Sequence, residues 1–259
     1  MKLSKLAART LACTLALAPA AMATLVVASP AVARADAKGD KVLEAIDKKG
    51  EVFDDTSYTA SMKIYRGGEV KKTLVFDMTM KGLEKQYIVF KSPGDVAGMK
   101  VLMDGPEDLW MYNTEFKKVR KIAAHAQAQG FFGSDFTAED MVLAKLSNKF
   151  NGKVLGKKGS ITTLELTPKP GAELSISKLE IDIDAKVGGV TVLRYYDSTG
   201  KVERTQTRGG WKKIGGHAMP TQITMKDAKT GNKTVINLAD VKVNQGVKDD
   251  LFSRRTLLR

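Results

Sequence analysis

Most of the chain beyond residue 55 alternates apolar and polar side chains with a period of two. This is the pattern of antiparallel β-strands that bury one face. In residues 56–65, for example, Met62 and Ile64 fall on one face and Lys63 falls on the other. Turns containing Gly, Pro and Asn separate these segments. The predicted strands lie at residues 56–65, 72–81, 85–91, 99–103, 108–113, 152–158, 161–167, 179–184, 190–196, 201–208, 221–227 and 233–244.

Helical periodicity is confined to a few places. Residues 40–49 put Val42, Leu43 and Ile46 along one side of a short helix, which Gly50 is placed to end. Many strands with short turns and few helices predict an α+β fold with one large antiparallel sheet. We expect a single domain at residues 36–259, because no low-complexity linker divides this part of the chain.

The segment 110–141 departs from the regular alternation and joins a strand to a helix. Strand 108–113 has apolar side chains on both faces, so we expect both faces to be covered. A basic run and a linker of small residues follow, and then the sequence F-F-G-S-D-F at 131–136. Thr137 can cap the next helix. The pattern predicts an apolar loop and a lid helix that close over the sheet.

Three motifs in this segment carry a family resemblance. They are W-x-Y at 110–112, K-V-R-K-I at 118–122 and F-x-G-S-D-F-T-x-E-D-M at 131–141. They resemble the outer-membrane lipoprotein-sorting protein family, which is related to the periplasmic lipoprotein carriers LolA and LolB. The resemblance extends over most of the chain after residue 35. It implies a curved sheet, or half-barrel, with helices lying as a lid in its concave face and an apolar cavity for acyl chains.

The resemblance also implies which residues contact a ligand, with aromatic side chains at the mouth and methionines along the floor. Methionine is flexible and polarizable and therefore adapts to acyl chains of variable shape. Ordinary core packing explains the same positions, and the residues alone favour it over ligand binding. The family resemblance reverses that preference. The candidate cavity and lid residues are Met62, Ile64, Phe76, Met78, Met80, Trp110, Tyr112, Phe131, Phe132, Phe136 and Met141.

The implied partners are lipid or lipoprotein acyl chains, an inner-membrane transporter and an outer-membrane acceptor, with transient membrane contact. The main alternative is a module on the same scaffold that binds an envelope protein or senses lipoproteins without carrying them. A cavity filled completely by the protein's own side chains would favour that alternative.

Residues 1–35 have the features of a cleaved secretory signal peptide. Basic residues precede an apolar run at 11–28, and A-R-A at 33–35 has the small residues of a cleavage site. Cleavage is expected after Ala35, with Ala37 as the second choice and a retained membrane anchor as the other interpretation. Cys13 does not fit a lipidation site, because the apolar stretch follows it. The remaining chain has no cysteine, and export without disulfides indicates a bacterial periplasm.

Removing residues 1–35 removes four basic side chains and lowers the net charge from +13 to +9. Export makes nucleic acid an unsuitable partner, which leaves an anionic membrane surface or simple solubility as the meaning of the charge. Ser134 lacks the second glycine of a nucleophile elbow and is interpreted as a turn residue. His125 and His217 form no local metal motif. We therefore expect a protein that is not an enzyme and has no cofactor or metal.

Overall fold

Antiparallel β-strands make up most of the computed structural model, which describes residues 36–105 and 108–259. The predicted signal peptide at 1–35 lies outside the described residues. The strands are β1 (Asp55–Arg66), β2 (Glu69–Lys81), β3 (Lys85–Ser92), β4 (Lys100–Asp104), β5 (Leu109–Asn113), β6 (Lys118–Lys121), β7 (Phe150–Lys158), β8 (Ile161–Pro168), β9 (Lys178–Asp184), β10 (Gly189–Tyr196), β11 (Val202–Gly209), β12 (Lys212–Ile214), β13 (His217–Met219), β14 (Gln222–Asp227) and β15 (Lys233–Val243). The α-helices are α1 (Ala37–Gly50), α2 (Ala124–Gln127), α3 (Glu139–Val142), α4 (Leu146–Lys149) and α5 (Arg254–Leu257), with 3₁₀ turns at Phe131–Gly133 and Asp249–Phe252.

Thirteen strands form one open sheet in the order β6-β5-β4-β3-β2-β1-β15-β14-β11-β10-β9-β8-β7, and β12 and β13 form a separate hairpin. The first six strands form one meander and the later strands form a second, joined where β1 pairs with β15. Strands β6 and β7 are consecutive in the sequence but lie at opposite edges of the sheet. The connecting segment 122–149, which we call the lid segment, must therefore span the whole width of the curved sheet.

The structure confirms the predicted α+β half-barrel and differs from the prediction in its small elements. Strand β6 was interpreted as a basic run, and the hairpin β12–β13 was missed, because strands of three or four residues carry too little alternation. The predicted lid helix consists of two single turns, α3 and α4. Lys145 interrupts them with an extended backbone at φ −107° and ψ 95°.

The concave faces of the strands supply the main core. Leu74, Leu109, Leu164, Leu179 and Met225 are each 0% exposed and belong to one cluster with residues of the lid segment. Helix α1 packs on strand β7 at one end of this core.

Close approach of two backbones fixes the position of α1. A side chain at Gly39 would begin 2.3 Å from the carbonyl oxygen of Gly152, so only glycine allows this contact. Asp40 Oδ1 accepts a hydrogen bond from Gly152 N at 2.7 Å. Leu43 then enters the core and is 1% exposed.

A second, smaller core covers the opposite face of strands β3–β5. The C-terminal segment crosses this face and buries Phe252 and Leu257 against it. Asp55 fixes the start of this segment by accepting hydrogen bonds from the backbone N–H groups of residues 245–247 at 2.8 to 3.0 Å. Both faces of β5 are therefore covered, as its two apolar faces predicted.

Candidate functional site

An apolar cavity of about 210 Å³ lies between the concave face and the lid segment. Strands from both halves of the sheet form its floor, and the lid supplies its roof. The cavity is partly open to solvent. Its lining residues are Tyr58, Met62, Phe76, Met78, Met80, Gln86, Ile88, Phe131, Phe136, Thr137, Asp140, Met141, Leu143, Ala144, Leu193, Tyr195, Gln206, Arg208, Ile223, Ile236 and Leu238.

Most of the candidate residues predicted from the sequence come together at this cavity. Ile64 is buried in the same core without lining the cavity. Phe132 packs against the same core, and its ring centroid lies 4.5 Å from that of Phe90. The candidates that line the cavity are Met62, Phe76, Met78, Met80, Phe131, Phe136 and Met141. Their contact with a ligand stays a prediction.

Trp110 and Tyr112, which were expected at the mouth, lie on the opposite face of the sheet. Alternation along β5 directs Leu109 and Met111 toward the main core and the two aromatic rings toward the C-terminal segment. The guanidinium of Arg254 lies 4.8 Å from the Trp110 ring centroid. The W-x-Y motif therefore belongs to the second core. The prediction that Trp110 and Tyr112 lie at the mouth of the cavity is wrong.

The lid begins with a tight loop closed by its own backbone. Phe131 N donates to the carbonyl oxygen of Phe136 at 2.7 Å, and the Ser134 hydroxyl also bonds the backbone of Phe136. Ser134 is therefore the turn residue that the sequence predicted. Phe132 has φ 54°, a left-handed conformation that a bulky side chain rarely adopts. The ring of Phe132, which has this strained backbone, contacts the ring of Phe90.

Two strands at the centre of the sheet hold the loop by polar contacts. Arg66 on β1 donates to Asp135 Oδ2 at 3.0 Å and to the carbonyl oxygen of Gly133 at 2.6 Å. The Thr234 hydroxyl on β15 donates to Asp135 Oδ2 at 2.6 Å and accepts from Asp135 N at 3.0 Å. Because these groups are partly shielded from water, their hydrogen bonds hold the loop against the sheet.

Arg204 on β11 holds the next part of the lid. Its Nη1 lies 2.8 Å from Asp140 Oδ2, and both side chains are buried, at 7% and 8% exposure. Asp140 Oδ2 also accepts from Thr137 N at 2.7 Å, and Thr137 Oγ1 accepts from Asp140 N at 3.3 Å. Burial works against the charge of Arg204, but Asp140 outweighs it and raises the pKa of the guanidinium.

The far end of the cavity contains polar groups that were not among the predicted site residues. Gln206 Oε1 accepts from Arg208 Nε at 2.9 Å, and Gln206 Nε2 donates to the Tyr195 hydroxyl at 3.3 Å. Burial raises the pKa of Tyr58 to about 12. The sequence contained a signal for this region, because residues 203–208 are polar on both faces although a central strand requires one apolar face.

Within residues 36–105 and 108–259, no group of three or more His, Cys, Asp or Glu side chains is arranged to hold a metal ion. None of the helices in the same ranges is long and apolar enough to cross a membrane.

One protein family and several solved structures match this chain. A family model described only as that of an uncharacterized protein matches residues 82–259, more than half of the chain. No curated protein matches. The crystal structure of a DUF1329 family protein from Desulfovibrio piger has a TM-score of 0.78 and 26% identity, and the match covers 85% of this chain and 98% of that chain.

Two further crystal structures share the fold. A domain described as an outer membrane lipoprotein-sorting protein from Vibrio parahaemolyticus has a TM-score of 0.76 and 22% identity, with 86% of this chain and 99% of that chain covered. A LolA superfamily protein from Nitrosomonas europaea has a TM-score of 0.70 and 18% identity, with 84% and 98% covered. The resemblance drawn from the sequence motifs is confirmed, and what these two structures share with the chain is the fold.

Proposed function

Because this chain belongs to a family of uncharacterized proteins and has the LolA-like fold, we propose that it is a periplasmic carrier. It binds the acyl chains of a lipid or lipoprotein in its cavity and transfers them between the inner and outer membranes. The proposal needs no catalysis and no cofactor. Burial of the acyl chain supplies about 0.8 kcal/mol per methylene group before ordering costs.

The observation that carries this proposal is an apolar cavity that the protein's own side chains leave partly empty. Methionines from two neighbouring strands, Met62, Met78 and Met80, form part of its floor. Their unbranched side chains can repack around ligands of different shape. The lid above them is a connection between the two edge strands, so it can move without breaking the order of the sheet.

The lid must open for an acyl chain to enter. The cavity has about 210 Å³, whereas pockets for small ligands have about 300–1,000 Å³. Phe131 and Phe136 occupy space that a chain would need. Outward movement of the loop 131–136 would free this space, and the polar contacts of Asp135 set the cost of that movement.

The same small volume favours one alternative, a module that keeps its lid closed and binds another envelope protein. In that case the lid phenylalanines are permanent core residues. The carrier and the closed module differ in whether an acyl ligand occupies the cavity of the purified protein.

Native mass spectrometry with lipid extraction, on protein purified from a periplasmic fraction without detergent, tests the carrier. We expect near-stoichiometric acyl lipid in the wild type. Met80→Asp, at a half-buried cavity position on β2, should remove the lipid, whereas Val70→Asp, at an exposed position on the same strand, should retain it. Circular dichroism establishes that both variants fold.

A wild-type protein that stays ligand-free after incubation with lipids and lipopeptides would exclude the carrier and leave the protein-binding module. Equal lipid content in Met80→Asp and the wild type would place the lipid elsewhere on the protein.

A further inference from the structure

The concave face of strand β11 carries an unusual row of polar side chains. Arg204, Gln206 and Arg208 alternate toward the core, where the facing positions of the neighbouring strands hold mainly apolar residues. Arg208 pairs in register with Ile223 on β14, which pairs with Ile236 on β15. The guanidinium of Arg208 therefore lies beside an apolar strip of the cavity floor.

Only the first arginine of this row has a carboxylate partner. Arg204 bonds Asp140, whereas Arg208 has no carboxylate within ion-pair distance among the residues that the structure describes. Its Nε is used by Gln206, and the described residues provide no hydrogen-bond acceptor for its Nη1 and Nη2. The Arg208 side chain is partly buried, and this burial lowers its pKa below the ordinary value.

An arginine in such a place is costly unless something pairs with it. Arg208 is partly exposed, and even partial withdrawal of a charge from water without a partner is unfavourable. A guanidinium presents two parallel N–H donors suited to a carboxylate or phosphate. We propose that the cargo is an anionic amphiphile, with its carboxylate or phosphate head bound by Nη1 and Nη2 of Arg208 and its acyl chain in the apolar part of the cavity.

Distances along the strand agree with this division. Arg208 lies four residues beyond Arg204, roughly 13 Å at about 3.3 Å per residue. The head-binding end is therefore well separated from the ion pair of Arg204 and Asp140. The inference rests on the proposed carrier function and specifies its cargo. It favours a free acidic lipid over the lipid group of a lipoprotein, in which the acyl chains join through uncharged ester, amide and thioether groups.

Matched ligand pairs test the proposal by isothermal titration calorimetry below their critical micelle concentrations. Hexadecanoate is compared with hexadecanol for the carboxylate, and palmitoyl lysophosphatidate with monopalmitoyl glycerol for the phosphate. Each ligand is titrated into wild type, Arg208→Gln and Arg120→Gln. The last is the control, because it removes the same charge from an exposed position on the edge strand β6.

We expect the wild type to bind at least one acidic ligand about tenfold or more tightly than its neutral partner, since hydrogen bonds to charged groups are the strong ones. Arg208→Gln should lose this preference and keep its affinity for the neutral ligand. Arg120→Gln should behave as the wild type. The acid of the pair with the larger preference identifies the head group.

Binding of acidic and neutral ligands with equal affinity, or a preference that survives in folded Arg208→Gln, would overturn the inference and leave the carrier proposal standing. Failure of the wild type to bind any of the four ligands would also overturn the inference, and native mass spectrometry then decides the carrier proposal separately. Thermal unfolding of each variant establishes that lost binding does not come from lost structure.

Discussion

Arg204 and Arg208 extend from the same face of strand β11, four residues apart, into opposite surroundings. Arg204 is 6% exposed, bonds Asp140 and lies with its guanidinium carbon 4.6 Å from the Tyr195 ring centroid. Arg208 borders the cavity and has only an amide oxygen, that of Gln206, among the described acceptors. One end of the cavity thus has a balanced charge, and the other has an unbalanced one.

The difference separates a structural role from a ligand-binding role. At the lid end, arginine and carboxylate join the sheet to a segment that lacks long helices of its own. At the far end, the partly exposed Arg208 has no carboxylate partner among the described residues, so its charge is available to a ligand. Substitutions along this strand can test the separation.

The largest effect is expected for Arg204→Met. The substitution leaves Asp140 buried without its charged partner, and such a loss lowers the free energy of unfolding by about 3–5 kcal/mol. Urea unfolding measures it. Adding Asp140→Leu should recover most of the loss, because it removes the unpaired carboxylate. A single variant as stable as the wild type would contradict the structural role.

A smaller and more local effect is expected for Asp135→Asn. This variant weakens the charged hydrogen bonds from Arg66 and Thr234, worth about 1–3 kcal/mol. The loop 131–136 should exchange its amide hydrogens faster, while strands far from it keep their protection. Asp95→Asn is the control, since its ion pair with Lys72 is exposed. Unchanged exchange in the loop would show that Asp135 does not hold the lid.

The opposite sign is expected for Arg208→Met. Replacing an unpaired guanidinium by an apolar side chain beside Ile223 should raise the free energy of unfolding of the ligand-free protein by about 1 kcal/mol. Urea unfolding of delipidated protein measures this change. A loss of stability comparable to that of Arg204→Met would show that both arginines are structural.

The smallest effect is expected for the ion pair of Arg194 and Asp182, on the opposite face of the neighbouring strands β10 and β9. Burial raises the pKa of Asp182, but Arg194 and Thr163 outweigh it and lower the pKa overall. The pair should therefore stabilise the fold above the ordinary carboxyl pKa of about 3.9 and lose that contribution as the pH falls below it. Asp182→Asn should cost about 1 kcal/mol or less near neutral pH.

Acid titration of unfolding checks the sign. The variant should lose less stability than the wild type between neutral pH and the folded-state pKa of Asp182, because it lacks this titrating group. Parallel curves over the whole range would exclude a contribution from the pair.

Alternation along the strands carried most of the fold prediction. Residues 60–64 and 179–184 bury every second side chain, and both lie in strands with a neighbour on each side. Their pattern leaves one interpretation. The short strands β6 and β12–β13 could not be predicted, since their pairing depends on neighbours in space. The lid helix was predicted too long because the apolar spacing after Thr137 did not show the extended backbone at Lys145.

Site residues could be predicted on strands that have one apolar face, because that face must point to the core. Alternation placed Met62, Phe76 and Met78 on the apolar faces of their strands, and the family resemblance identified those faces as the concave one. Trp110 was misplaced because both faces of its strand are apolar, and the sequence does not say which face meets the lid. Arg208 was missed because an arginine in a strand normally points to solvent.

The sequence by itself determined the strands, their buried faces and the apolar, glycine-containing loop at 131–136, because alternation, chain stiffness and turn chemistry are local properties. Only the tertiary structure decided that β6 and β7 form opposite edges, which carries the lid across the sheet. It also decided that Arg204 meets Asp140 while Arg208 meets no carboxylate among the described residues. Strand pairing between distant segments depends on the fold of the whole chain. The same fold determines which side chains surround a charged group inside the protein.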